Sequence, residues 1–478
     1  MTLTETRIRA QHLYIGGEWM PGARVKRVHD RFTAEPIADV ALADEQQSRS
    51  AVDAAAAAMR IPLSPAKRSE ILSAAGRGLT ARAEEFAQAI TAETGKPITA
   101  ARTEVQRGIG TIVWAAEETR RLAGEVVALD AIESGEGTFA QTILEPRGIV
   151  AAITPFNFPL NLLLHKVAPA VAAGCAVVLK PSEKSMIAAG MIVEVFEEAG
   201  LPAGRLNLVT GTPKDVVDPW IVDDRVAVIT FTGSTSVGWS IKARSPRKLH
   251  ILELGSNTAM VVLDDADITR AADDAITASL SNSGQACISL QRLYVTPGAA
   301  DTLTSALRER FARVLVGNPH LDGTMVGPMI TTAATDALKK SIDDAIAGGA
   351  TALNGGAVVD GILLPTLLTD IRANDSLITE EAFGPVLSVV PVPDLQAAIA
   401  EVNSSQYALN TAIYTTNLAS ALQFGREAEA GSVLVNMPPS FRTDHMPYGG
   451  VKGSGQGTEG VKYAIEELLH HKLFVLKA

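Results

Sequence analysis

The chain is poor in the residues on which several classes of function depend. It has 2 cysteines in 478 residues, Cys175 and Cys287, too few to form a disulfide framework. Cations are outnumbered, 42 Lys and Arg against 53 Asp and Glu, for a formal charge of −11. A surface that neutralises nucleic-acid or lipid phosphates needs the opposite balance, so neither partner is expected. No apolar run reaches membrane-spanning length, and the opening Met1-Thr-Leu-Thr-Glu-Thr-Arg7 lacks the apolar core of an export signal. The 8 histidines include no pair four residues apart, and the two cysteines are distant in sequence, so no structural metal is expected. These absences describe an acidic, cytosolic protein.

What the chain does have is enough apolar mass, 47% of its residues, for two or three domains. From about Ser50 to Arg121 the pattern is helical: an Ala-rich segment from Val52 to Met59, then Ser69 to Ile90, then Ala100 to Arg121, with Gly95-Lys-Pro97 between the last two. Beyond Phe139 short Val- and Ile-rich runs alternate with helical stretches. The first series is Ile149 to Ile153, Ala176 to Leu179, Leu206 to Val209, Val226 to Phe231 and Leu249 to Leu254. The second is Ala259 to Leu263, Leu290 to Val295, Val386 to Val390, Thr411 to Thr415 and Ser432 to Val435. Apolar strands separated by helices predict parallel sheets buried on both faces, hence two successive α/β units joined near residues 253 to 257. Ligands of such sheets sit beyond the carboxyl ends of strands, which directs attention to the residues after each run.

Cys175 lies in an apolar run and reads as packing. Cys287, in Asn282-Ser-Gly-Gln-Ala-Cys287, lies in a small, polar, Gly-containing stretch where a thiol is kept either for reactivity or as a small hydrophobe. Three strand ends supply what a catalytic thiol needs. Asn157, clamped between Pro155 and Pro159, is a rigid amide donor for an oxyanion, or a turn residue. Glu253 closes an apolar strand, where a carboxyl has a raised pKa suited to a general base, unless it is salt-bridged. Gly233 and Ser234 follow a strand and open a helix, either as a phosphate site or as an ordinary capped turn. Lys180 and Glu183, after another strand, suit a nucleotide ribose or a solvated strand end. Gly455-Gln-Gly-Thr-Glu-Gly460 satisfies GxGxxG without a preceding strand and reads as a flexible loop entering a C-terminal helix.

Seven motifs occur in order: Phe156-Asn-Phe-Pro159, Lys180-Pro-Ser-Glu183, Phe231-Thr-Gly-Ser234, Glu253-Leu-Gly255, Gly284-Gln-Ala-Cys287, Glu381-Ala-Phe-Gly-Pro385 and Pro447-Tyr-Gly-Gly-Val-Lys-Gly-Ser454. Together they resemble the NAD(P)-dependent aldehyde dehydrogenase superfamily, of the hydrolytic, non-CoA-acylating type. The resemblance implies that Cys287 attacks the aldehyde, that Asn157 and the Cys287 N–H hold the oxyanion, and that Glu253 activates the hydrolytic water. It implies cofactor contacts from Lys180 and Glu183 at the adenosine ribose, Gly233 and Ser234 near the pyrophosphate, Glu381 at the nicotinamide ribose, and Phe156 and Phe383 around the nicotinamide end. Glu183 would repel a 2′-phosphate, favouring NAD, with NADP possible.

The implied architecture is α/β: a Rossmann-like cofactor domain (1–123 and 146–253, with 451–467 returning to it), an α/β catalytic domain (254–450) and a small β oligomerisation arm (124–145 and 468–478) that builds a homodimer or homotetramer. Three positions depart from the family pattern: Ser256-Asn257, Thr458 before Glu459, and Ala286, where members acting on phosphorylated aldehydes carry Arg. Arg442 and Arg107 are then the candidates for a substrate anion, which predicts a short anionic or hydroxylated aldehyde, lactaldehyde-like or a semialdehyde. The alternatives are a CoA-acylating relative, a non-redox thiol esterase and a catalytically silent binding protein.

Overall fold

The computed structural model describes residues 8–477; the segment Met1–Arg7, in which no export signal is read, lies outside the described residues. Two large sheets organise the rest. The first runs in the order Gly455–Gln456, Leu249–Glu253, Val226–Thr232, Ile149–Ile153, Ala176–Lys180, Leu206–Leu208, Leu13–Ile15, Glu18–Met20. Its five central strands are parallel and almost entirely buried, which is why they read as unbroken apolar runs. The second sheet carries Thr258–Val262 at its centre, flanked by Leu290–Val295 and Val386–Pro391 on one side and by Asn410–Tyr414 and Ser432–Val435 on the other, all parallel. Only four residues, 254–257, separate the last central strand of the first sheet from the first strand of the second.

Several local readings are corrected. The run from Ser69 to Ile90 is two helices, Pro65–Ala81 and Ala83–Thr94, broken at Arg82, whose backbone leaves the helical region at φ −108, ψ 16. The glycine-rich segment at 455 is no flexible loop. Gly455 and Gln456 add an antiparallel strand to Glu253 and Leu252, and Gly455 adopts φ +153 with no room for a Cβ, which would lie 2.1 Å from the Leu252 carbonyl. Strands between Arg9 and Leu42 precede the helical layer, unannounced by any motif.

The helical layer steers the site. Glu104, on the helix Ile98–Thr119, accepts the Leu160 and Asn161 N–H groups at 2.8 and 3.1 Å, so it caps the helix Asn161–Ala173 that follows the Asn157 loop. Glu93, on Ala83–Thr94, does the same for Met186–Glu198, accepting from the N–H groups of Ile187 and Ala188. One helical hairpin thus braces both strand-end loops. Among the described residues no helix is long and apolar enough to cross a membrane, and no group of His, Cys, Asp and Glu is placed to hold a metal ion.

Candidate active site

A cavity of about 640 Å³ opens at the carboxyl ends of the first sheet's parallel strands. Lys180, Glu183, Gly233 and Ser234 line it, with Phe156 and Asn157; Cys287, Glu381 and Phe383 close it from the second sheet. Cys287 ends the crossover that leads from Thr258–Val262 to Leu290–Val295 and reaches the cavity from the amino end of its strand.

The outer part has the chemistry of a dinucleotide cleft. Ser234 is the N-cap of Thr235–Arg244 yet makes no side-chain capping bond, which leaves the first-turn N–H groups for an anion. A Cβ at Gly233 would lie 2.5 Å from the Phe231 ring, so only glycine fits there. Thr154 and Thr232, both in the cavity wall, bury hydroxyl oxygens that have no partner. Lys180 is buried, and desolvation lowers its pKa to about 8. Glu183 is paired at 3.8 Å with Lys26. Glu381 accepts the Ser256 N–H at 2.9 Å, and burial raises its carboxyl to about 7. Phe156 and Phe383 meet edge to face with centroids 6.0 Å apart. These groups fit an extended NAD(P) molecule.

The inner part holds the thiol. Burial pushes Cys287 up to about 11, opposed by a contact of 3.1 Å with the Tyr448 hydroxyl and by the Arg442 charge. Its loop is built on three successive left-handed residues, Asn282 (φ 53), Ser283 (φ 55) and Gly284 (φ 71), of which two are not glycine. Side chains hold that shape: Asn157 Nδ2 donates to the Gln285 carbonyl at 3.0 Å, and Asn282 Nδ2 donates to the Asn157 carbonyl at 3.0 Å. The amide donor and the thiol loop are thereby tied together. Glu253 is 3% exposed, and both carboxyl oxygens lack any hydrogen-bond partner. Desolvation, then the nearby Glu459, raise its pKa well above the ordinary range, against Arg442 and Lys166, which suits a general base.

Neither arginine is a solvated surface residue. Arg442 is 4% exposed in its side chain and lies with its Cζ 3.6 Å over the Tyr448 ring. One Nη meets Glu459 at 3.4 Å, and its buried Nε has no partner. Arg107 is half-buried and forks onto Asp444 at 2.8 and 3.3 Å. Asp444 also accepts from Asn161 at 3.0 Å and meets His165 at 2.9 Å, while Glu459 accepts from Lys166 at 2.7 Å. Motif reading missed Tyr448, Lys166, Asp444 and Glu459 as site residues. A signal existed for Lys166: a lysine on an otherwise apolar helix must be paired. Asp444 carried none.

Fold and chamber define a class, an oxidoreductase in which a dinucleotide cleft ends at a cysteine. The model of the aldehyde dehydrogenase family matches residues 19–474. The chain is 39% identical to the 3-sulfolactaldehyde dehydrogenase of Priestia megaterium over 98% of its own length and 99% of that protein. It is 34% identical to a lactaldehyde dehydrogenase of Methanococcus maripaludis, covering 97% of this chain and 99% of that one. The structure superposes at a TM-score of 0.95 on aldehyde dehydrogenase 21 of Physcomitrella patens, solved with succinate, at 34% identity and 98% coverage of both chains. It superposes equally, at 32% identity over 98% of this chain and 99% of the other, on the NADP complex of a glyceraldehyde-3-phosphate dehydrogenase of Bacillus halodurans. The chain belongs to the aldehyde dehydrogenase family and is an NAD(P)-dependent aldehyde dehydrogenase.

Proposed function

We propose that the protein oxidises a short aldehyde carrying an anionic or hydroxylated tail to its carboxylic acid, with Cys287 as nucleophile. The observation that carries this reading is Arg442, a buried guanidinium beside the thiol with an unpartnered Nε. A desolvated donor of that kind gains most from an anion or hydroxyl. The sulfolactaldehyde and lactaldehyde dehydrogenases among the relatives act on aldehydes of this chemistry by name.

Cys287 sulfur adds to the carbonyl carbon, and the C=O π pair moves to oxygen, where the Asn157 amide and the Cys287 N–H receive it. When bound, the nicotinamide supplies a hydride acceptor. Lys180, Glu183, Gly233, Ser234 and Glu381 would hold its nucleotide, with Phe156 and Phe383 flanking the ring. Glu253 then takes a proton from the water that attacks the thioester, releasing acid and thiol. Glu183 favours a 2′-hydroxyl, while Lys26 beside it offsets its charge, consistent with NAD preferred and NADP tolerated. The presence of a base at 253 distinguishes this from CoA-acylating chemistry. Residues 1–123 and 146–253 with 451–467 form the cofactor domain in this reading, 254–450 the catalytic domain, and 124–145 with 468–478 the arm. A thiol that must stay reduced supports a cytosolic location.

A panel of two- to four-carbon aldehydes with both cofactors tests the reading. Sulfonated, carboxylated or hydroxylated aldehydes should exceed their unsubstituted counterparts in kcat/KM by about tenfold or more, the effect of one charge-assisted hydrogen bond. Equal turnover across the panel contradicts it.

A further inference from the structure

Among the described residues, Tyr448 is the one side chain in hydrogen-bonding contact with the Cys287 sulfur, its hydroxyl 3.1 Å from Sγ. It is 2% exposed, and its position is over-determined. Its N–H donates to the Glu459 carbonyl at 3.0 Å and its carbonyl accepts the Glu459 N–H at 2.6 Å, a two-way bridge that fixes the backbone. Glu459 is in turn held by Lys166. Ile288 and Leu409 pack around the ring with Cys287 at its edge, while the Arg442 guanidinium covers a face. The following residue is glycine because a Cβ at 449 would approach the Gly457 carbonyl to 2.6 Å. Held in this way, the ring keeps its hydroxyl on the sulfur.

We propose that Tyr448 is a catalytic residue whose O–H donates to Cys287 sulfur, stabilising the thiolate both when it attacks the aldehyde and when it leaves the thioester. The proposal rests on the reading of Cys287 as the nucleophile. The thiol proton passes to water before attack. The sulfur lone pair forms the C–S bond as the C=O π pair moves to oxygen, and in hydrolysis the C–S pair returns to sulfur. Tyr448 gains and loses no proton in either step; it supplies a dipole where negative charge begins and ends. Arg442 strengthens that dipole, since a cation over the ring face draws electron density from it and makes the O–H a better donor. Burial keeps the phenol protonated, its pKa raised well above the ordinary value, so the donor persists across the working pH range. The same contact opposes the desolvation that pushes the thiol up. Arg442 has edges as well as faces, so stacking on Tyr448 leaves its Nε for a substrate tail.

Tyr448→Phe keeps the ring and the Arg442 contact and removes only the hydroxyl. Three readouts on the full-length enzyme are compared with wild type: the pH profile of Cys287 alkylation by iodoacetamide, the pre-steady-state burst of reduced nicotinamide, and NAD binding by calorimetry. Alkylation and burst should both slow by about tenfold to a hundredfold at pH 8, the range for a hydrogen bond to a charged group, with the alkylation profile displaced to higher pH. NAD affinity should change by less than about twofold. An alkylation profile and burst rate equal to wild type would overturn the proposal, since a merely space-filling tyrosine leaves the thiol titration where it is. Tyr448→Leu covers the case of a misfolded Phe variant: it is smaller, has no side-chain donor and must show the same displacement. Cys287→Ala separates the two levels of inference. Retained dehydrogenase activity in that variant would remove the nucleophile reading itself, whereas an inactive Cys287→Ala beside a fully active Tyr448→Phe would remove only the role of Tyr448.

Discussion

At the scale of single residues, the site was legible where chemistry and local pattern coincide. Cys287, Asn157 and Glu253 each follow or precede an apolar run and are polar there for a reason. The left-handed pair Asn282 and Ser283 was not legible, since only Gly284 beside them advertises positive φ. Such residues cost about 1–3 kcal/mol each and persist because Ser283 and Gln285 are tied to the segment 327–330, Ser283 Oγ donating to the Gly327 carbonyl at 3.1 Å and Gln285 accepting the Ile330 N–H at 2.9 Å. Arg442 was readable as a candidate but not as a buried one, because its burial depends on how Tyr448, Glu459 and the distant His165 fold around it. Removing it separates substrate recognition from fold. The aldehyde panel run on Arg442→Ala should show the preference for anionic over neutral substrates reduced about tenfold to a hundredfold. An unchanged ratio would rule out Arg442 as the group that recognises the tail.

At the scale of elements, the buried parallel strands announced themselves, and the exceptions have physical reasons. Gly455–Gln456 is two residues long, too short to show alternation, and Leu13–Ile15 and Glu18–Met20 are three each. The helix break at Arg82 carries neither Gly nor Pro. Least legible was the bracing of helix termini by Glu93 and Glu104, which depends on tertiary placement. Glu93 yields a pH prediction. Burial is the main cause that raises its pKa from 4.5 to about 8, with the Ile187 and Ala188 N–H groups, then Arg9, opposing. The folded state therefore binds a proton more tightly than the unfolded one. Its contribution is full below about pH 4.5 and is lost as pH rises to about 8, at a slope of at most about 1.4 kcal/mol per unit. Urea denaturation of Glu93→Gln should show a shallower fall in stability between pH 5 and 8 than wild type. An identical slope would show that Glu93 is charged in the folded protein throughout that range.

At the scale of the whole molecule, one surface carries an unusual run of exposed apolar side chains. Leu469–Lys477 pairs antiparallel with Thr138–Pro146 along nine residues, and Val126, Ile132, Phe139, Leu473, Phe474, Val475 and Leu476 are exposed on this arm and its approach. An exposed apolar ribbon of this kind invites a second copy, and we infer that it builds the homodimer or homotetramer. Phe474→Asp with Val475→Asp should reduce the particle to monomers in analytical ultracentrifugation; an unaltered sedimentation coefficient would place the interface elsewhere.

Glu253 links these scales, since a strand of the first sheet delivers it, without a hydrogen-bond partner, near a thiol of the second. If Cys287 is the nucleophile and Glu253 the base, Glu253→Gln must form the thioester and fail to hydrolyse it. Intact-mass and peptide mass spectrometry of that variant, mixed with aldehyde and NAD, should show one acyl group on the peptide containing Cys287. Reduced nicotinamide should appear in a single stoichiometric burst, with almost no free acid. An unmodified Cys287 accompanied by acid release at the wild-type rate would contradict the assignment of both residues.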